Sequence, residues 1–186
     1  LGVKAVYSVF NVEEMAQVEQ GVASIASQLG GIDILINNAG VGDFGSFEEM
    51  PVETWEKVMK VNLFGVYYVA KATLPYLKQN KEGDIVNVAS TAGLKGAPNM
   101  SAYCASKAAV ISLSQSLMAE LRKFNIRVIT LTPSTIATDM SIEGKLTDGN
   151  PEKVLQPEDF AEWVRDILKM NRRAMIASAS IFSTNP

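Results

Sequence analysis

Ile32-Asp33-Ile34-Leu35-Ile36-Asn37-Asn38-Ala39-Gly40 is the stretch on which the fold turns. Its first five residues are a short, nearly continuous apolar run, the pattern of a strand covered on both faces. Asn37-Asn38-Ala39-Gly40 then reads as a loop that continues through Gly42 and Gly45. The same grammar recurs downstream. Asp84-Ile85-Val86-Asn87-Val88-Ala89 is a strand followed by the loop Ser90-Thr91-Ala92-Gly93, and Ile126 to Leu131 is a strand closed by Pro133. Val3 to Val9 and Ala174 to Ala177 read as the first and last strands. Helical spacing fills the intervals. Met15, Val18, Val22, Ile25, Ala26 and Leu29 mark a helix over 13–29 that stops at Gly30-Gly31. A long helix runs from Pro51 to about Gln79, with Trp55, Val58 and Val61 facing inward. Further helices cover 101–124 and 157–170. Strands that alternate with helices longer than about ten residues predict right-handed crossovers and a parallel, doubly wound α/β sheet. In such a sheet ligands bind beyond the carboxyl ends of the strands. The loops at 37–45, 90–97 and 133–157 all lie at those ends.

Composition narrows the chemistry. The 186 residues are 47% hydrophobic, enough for a core, and the reading is of one domain over 1–186. A formal net charge of -3 argues against a nucleic-acid partner. No apolar run is long enough for a transmembrane helix, so no membrane partner is expected. Cys104 is the one cysteine, which fits a reducing compartment and a cytoplasmic protein. There is no histidine, which excludes Ser-His-Asp and Cys-His catalysis; no metal site is expected. Proton transfer then falls to Tyr, Lys, Asp, Glu or Cys.

Tyr103-Cys104-Ala105-Ser106-Lys107 places a tyrosine and a lysine on one helix face. A free phenol titrates near 10, too high for a base at neutral pH. An ammonium ~4 Å away at an effective dielectric near 20 favours the phenolate by about 4 kcal/mol, enough to bring it towards neutrality. Such a pair alone is common on protein surfaces. Three further features point to the same end of the sheet. Ser90 ends a strand thirteen residues before Tyr103, the 37–40 loop ends another, and Asn62 interrupts an apolar stretch of helix where its amide competes for backbone bonds.

Together Asn37-Asn38-Ala39-Gly40, Lys60-Val61-Asn62-Leu63-Phe64-Gly65, Ser90 and Tyr103 to Lys107 resemble the short-chain dehydrogenase/reductase family, in particular its 3-oxoacyl-(acyl-carrier-protein) reductases. The order and spacing of these motifs agree over essentially the whole chain. The resemblance implies a Rossmann-like fold and hydride transfer between NADP or NAD and a carbonyl or alcohol, with NADPH favoured. It implies that Tyr103 is the general acid or base, that Ser90 positions the substrate oxygen, and that Lys107 binds the nicotinamide ribose and lowers the Tyr103 pKa. Asn62 would hold a water in a proton relay. Asn38, Ala39 and Gly40 would line the cofactor, and Asn11-Val12 stands where the family has Asp-Val beside the adenine. In Pro133-Ser134-Thr135-Ile136-Ala137-Thr138, Ile136 would meet the carboxamide and Thr138 the phosphates. Ser134 replaces a usual glycine, and strain is expected there if that position needs a positive φ.

The family's opening strand, glycine-rich turn and helix have no counterpart in this sequence. The expectation is a sheet lacking its first two strand–helix units, with Val3 to Val9 unpartnered and the edge of 32–36 exposed. The segment 134–157 is read as a mobile excursion, with Met140 to Val154 as a substrate lid. The resemblance further implies a homodimer or homotetramer paired through the helices at 51–80 and 101–124. The substrate stays open between an acyl-carrier-bound ketone of fatty acid synthesis and another small ketone or sugar. A non-catalytic remnant that pairs with other proteins is the alternative.

Overall fold

The computed structural model describes residues 2–184. Four strands, β1 (Ile34–Asn37), β2 (Gly83–Val88), β3 (Ile126–Pro133) and β4 (Ser178–Ile181), form one all-parallel sheet in the order β1-β2-β3-β4. The helices are α1 (Met15–Leu29), α2 (Val52–Met59), α3 (Val66–Gln79), α4 (Ser101–Leu121), α5 (Asp139–Glu143) and α6 (Pro157–Lys169). Alternation along the strands sends side chains to two helical layers. Ile85, Ile126 and Val128 pack under Leu77 of α3 and Leu121 of α4. Val86, Ile129 and Leu131 face the opposite way, onto Val164 and Ile167 of α6. Each layer buries fully apolar side chains, worth about 1.5–3 kcal/mol apiece before the entropy of ordering is subtracted. This is the doubly wound, Rossmann-like architecture expected.

Four details differ from the sequence reading. Residues 3–9 form no strand. Their β-prone side chains meet no neighbouring backbone ladder, so Val3, Tyr7 and Val9 are largely exposed. The chain there is held along α1 instead: the Lys4 ammonium donates to the Gln28 carbonyl and the Phe10 ring fills the space over Gly21. The last strand lies at 178–181 rather than 174–177, because the hydrogen-bonded partners of β3 are Ser178 to Ile181. The long helix is not continuous. Lys60–Gly65 is a π-helical turn between α2 and α3, an arrangement that inserts one extra residue per turn and re-aims the side chains within it. Finally, the segment after β3 has order of its own. Thr138 and Ser141 form a reciprocal capping box at α5, and the bridge Ile136–Leu155 ties the two ends of the segment together.

Candidate active site

β2 ends at Val88, and Ser90 follows in extended backbone with φ -169°. Its Oγ accepts a hydrogen bond from the Ala92 N–H at 3.1 Å, which turns the chain into a short 3₁₀ segment at 91–93. That segment lies directly on α4. A Cβ on Gly93 would stand 2.7 Å from the Lys107 carbonyl carbon, so only glycine permits this approach. Tyr103 and Lys107 occupy the first turns of α4 on the face towards Ser90. The Lys107 Nζ donates to the Val88 carbonyl at 2.9 Å and stands 5.6 Å from the centre of the Tyr103 ring. Ser90, Tyr103 and Lys107 line one cavity of 610 Å³ at the carboxyl end of the sheet.

The electrostatics depart from the simple Tyr–Lys argument. Burial pushes the Tyr103 phenol above its ordinary value, opposed by hydrogen bonding to the Ser90 side chain. Lys107, only 6% exposed, is pushed down to about 8 by burial. The dominant influence on each group is therefore desolvation. The phenol stays protonated at neutral pH, and the lysine remains mostly charged there.

Asn62 sits in the middle of the π turn and is fully buried. Its Oδ1 accepts from the Val41 N–H at 2.8 Å. Its Nδ2 donates to the Val41 carbonyl at 2.9 Å and to Ser106 Oγ at 3.0 Å. Both amide hydrogens are thus committed to protein. Gly40 lies against this group: a Cβ there would stand 3.2 Å from Asn62 Oδ1 and 3.6 Å from Lys107 Nζ. The asparagine therefore fastens the 37–42 loop to α4 through Ser106.

The remaining sequence candidates divide. Asn38, Gly40, Ile136 and Thr138 line the same cavity as Tyr103. Val12 and Ala39 line a separate crevice of only 20 Å³, where Val12 packs against Gly65. Asn11 is exposed, and its Oδ1 accepts from the Glu13 N–H at 3.0 Å, a turn that leads into α1. Ser134 is not among the residues with positive φ, so serine is accommodated there without backbone strain. Among the described residues no group of three or more His, Cys, Asp or Glu is placed to hold a metal, and no helix is long and apolar enough to cross a membrane.

One lining residue, Phe44, had no strong sequence signal. Phe44 meets Tyr103 edge-to-face with ring centres 5.7 Å apart. Met140 and Leu146 come from the segment after β3 that was read as a substrate lid, and they complete the apolar wall. A lone aromatic between Gly42 and Gly45 was the available hint for Phe44. Asn87 was legible as a polar residue inside an apolar strand. It accepts from Asn37 Nδ2 and donates to Ser114 Oγ, both at 2.8 Å, which joins β1, β2 and α4 beneath the site.

Residues 1–148 match the family model for short chain dehydrogenases. The chain belongs to the short chain dehydrogenase family. Similar members include the "inactive 2-(S)-hydroxypropyl-CoM dehydrogenase 2" of Xanthobacter autotrophicus, 35% identical over 94% of this chain and 81% of that protein. The 3-oxoacyl-[acyl-carrier-protein] reductase of Thermotoga maritima is 38% identical over 78% of this chain, which spans 56% of that protein. Among solved structures, an alcohol dehydrogenase of Thermococcus sibiricus complexed with 5-hydroxy-NADP superposes with a TM-score of 0.90 at 27% identity, covering 100% of this chain and 77% of that one. The closed form of a serine dehydrogenase complexed with NADP+ gives 0.86 at 29% identity, over 94% of this chain and 74% of that one. As a short chain dehydrogenase, the chain has its tyrosine, lysine and serine converging on the sheet end where such folds bind ligands.

Proposed function

We propose that this chain carries the proton-transfer site of a nicotinamide-dependent carbonyl reductase. The observation that carries the reading is the convergence of Ser90, Tyr103 and Lys107 on one cavity, with Lys107 Nζ 5.6 Å from the Tyr103 ring. The residues present fit the nicotinamide-ribose part of NADP or NAD. Gly40, Ile136 and Thr138 open onto the cavity beside Lys107, and a side chain at position 40 would crowd Asn62 Oδ1. When bound, the reduced nicotinamide supplies hydride to the carbonyl carbon. NADPH is the favoured form, in line with the NADP complexes among the structural neighbours.

The side chains then divide the work. Ser90 donates a hydrogen bond to the substrate oxygen and orients it. Tyr103, kept protonated by burial, donates its proton to that oxygen as the general acid. Lys107, anchored on the Val88 carbonyl, holds positive charge beside the phenolate left behind. Solvent reprotonates the tyrosine, which balances the step. Asn62 positions the 37–42 loop and Ser106, whose Oγ donates to the Tyr103 carbonyl at 2.8 Å.

The substrate class fits either a 3-oxoacyl thioester of fatty acid synthesis or another small ketone. The half-exposed apolar side chains Phe64 and Tyr67 on the outer face support pairing of two copies through α3 and α4. Monomeric sedimentation at micromolar concentration would refute that pairing. A second reading has its own support: a relative matching 94% of the chain is described as inactive. In that case the chain keeps the fold without turnover. Oxidation of NADPH in the presence of a panel of ketones decides between the two. Tyr103-dependent oxidation supports the reductase; no oxidation with any ketone supports the inactive reading.

A further inference from the structure

The charge lining the cavity is one-sided. Among the described residues no aspartate or glutamate borders it, although the chain is acidic overall with a formal net charge of -3. Two lysines do. Lys107 is buried and committed to the Val88 carbonyl. Lys95 is exposed at the rim, and no ion pair engages its ammonium among the described residues. Lys95 follows Ser90 by five residues in the same loop. That loop is braced at both ends: Leu94 N–H donates to the Thr91 carbonyl at 3.0 Å, and Gly45 N–H donates to the Asn99 carbonyl at 2.9 Å. The same cavity carries the apolar side chains of Phe44, Met100 and Met140.

We infer that Lys95 is a specificity-determining residue that selects substrates bearing a carboxylate near the carbonyl, so that the physiological substrate is an oxo acid or its hydroxy acid product. This rests on the reductase reading and narrows its substrate class. The carbonyl is directed to Tyr103 and Ser90, the short carbon chain lies on Phe44 and Met140, and the anion meets Lys95. A dinucleotide phosphate is the competing source of negative charge. Lys95 stands on the loop that carries Ser90. The residues assigned to the dinucleotide, Asn38, Gly40, Ile136 and Thr138, stand on two other loops.

The test compares binding and turnover. Pyruvate and levulinate, each beside its methyl ester, are titrated calorimetrically into the full chain, into Lys95→Gln and into Lys95→Glu. The expected result is that the wild type prefers at least one acid over its ester, that this preference falls about tenfold in Lys95→Gln, as for loss of one charged hydrogen bond, and that it inverts in Lys95→Glu. An unchanged preference, or binding of neither acid nor ester, overturns the inference. A loss confined to NADPH affinity also overturns it and assigns Lys95 to the cofactor. The reductase reading fails separately: Lys95-dependent binding of the acid without any NADPH oxidation would leave the anion site standing and remove the reaction.

Discussion

The two ends of β2 and β3 solve the burial of polar groups in opposite ways. At the amino-terminal end the register sets Asp84 opposite Arg127. Arg127 Nε and Nη2 donate to the two carboxylate oxygens at 2.6 and 2.9 Å, and Arg172 Nη1 donates to Asp84 Oδ2 at 3.2 Å. The remaining donors of Arg127 reach the Leu168 and Met170 carbonyls. Hydrogen bonding to Asp84 raises the Arg127 pKa further. At the carboxyl end, by contrast, no carboxylate among the described residues pairs with Lys107, and Tyr103 lines the cavity. A buried charge without a counter-ion destabilises the fold. The same arrangement leaves donors free for a ligand. One end ties the sheet to the last helix; the other holds a buried lysine at a cost in stability.

The sharpest test of this contrast is Tyr103→Phe. Turnover should fall by about 100- to 10,000-fold, as for loss of a general acid, with the urea midpoint nearly unmoved. A variant that stays near wild-type turnover would break the assignment. Asp84→Ala should do the reverse. It leaves Arg127 buried without its partner and should lower stability by about 3–5 kcal/mol, while the turnover of the folded fraction holds. Stability measured by urea unfolding and activity per folded molecule separate the two effects.

Lys107→Met probes the cost at the carboxyl end. The folded-state value of about 8 lies below the ordinary 10.5. Below pH 8 both folded and unfolded chains are charged, and the fold carries the whole penalty, on the order of 3 kcal/mol. As pH rises from about 8 to 10.5 the folded chain has lost the proton while the unfolded chain keeps it, so the wild type gains stability. The methionine variant should therefore show its greatest advantage near neutral pH and lose it towards pH ~10, with the missing bond to Val88 offsetting about 1 kcal/mol throughout. Paired urea titrations at the two pH values measure this, and a pH-independent difference would contradict it. The smallest effect is expected for Gly93→Ala. The added methyl group meets the α4 backbone and should cost about 1–3 kcal/mol. It should also displace Ser90, raising the KM for a ketone more than Ala92→Gly does.

The strands and helices around the core were legible because their periodicity reports burial directly. Ile85 and Val86 point to different layers simply because strand side chains alternate. Residues 3–9 misled for the same reason: their β-prone pattern is genuine, but a strand requires a partner backbone. The β1 edge shows the consequence, since Ile34 and Ile36 remain nearly half exposed beside a sheet whose inner strands are covered. The π turn at Lys60–Gly65 was invisible, because the residues on either side carry ordinary helical spacing. Asn62 alone hinted at it. The pairing of Asp84, Arg127 and Arg172 was equally hidden, since it joins residues far apart in the chain.

What the sequence determined by itself was the inventory: which segments are apolar, which loops follow strands, and that Tyr103 and Lys107 share a helical face. These are local facts, set by backbone geometry and side-chain period. Tertiary structure decided how those residues behave. Burial, which no local pattern measures, pushes Tyr103 up and Lys107 down. Close approach of the 91–93 turn to α4 sets Ser90 beside the phenol, and the π turn delivers Asn62 to the loop at Val41. The expectation that the lysine would lower the tyrosine pKa gives way to burial as the larger influence on both groups, because desolvation depends on everything packed around a group and not only on its neighbour four residues away.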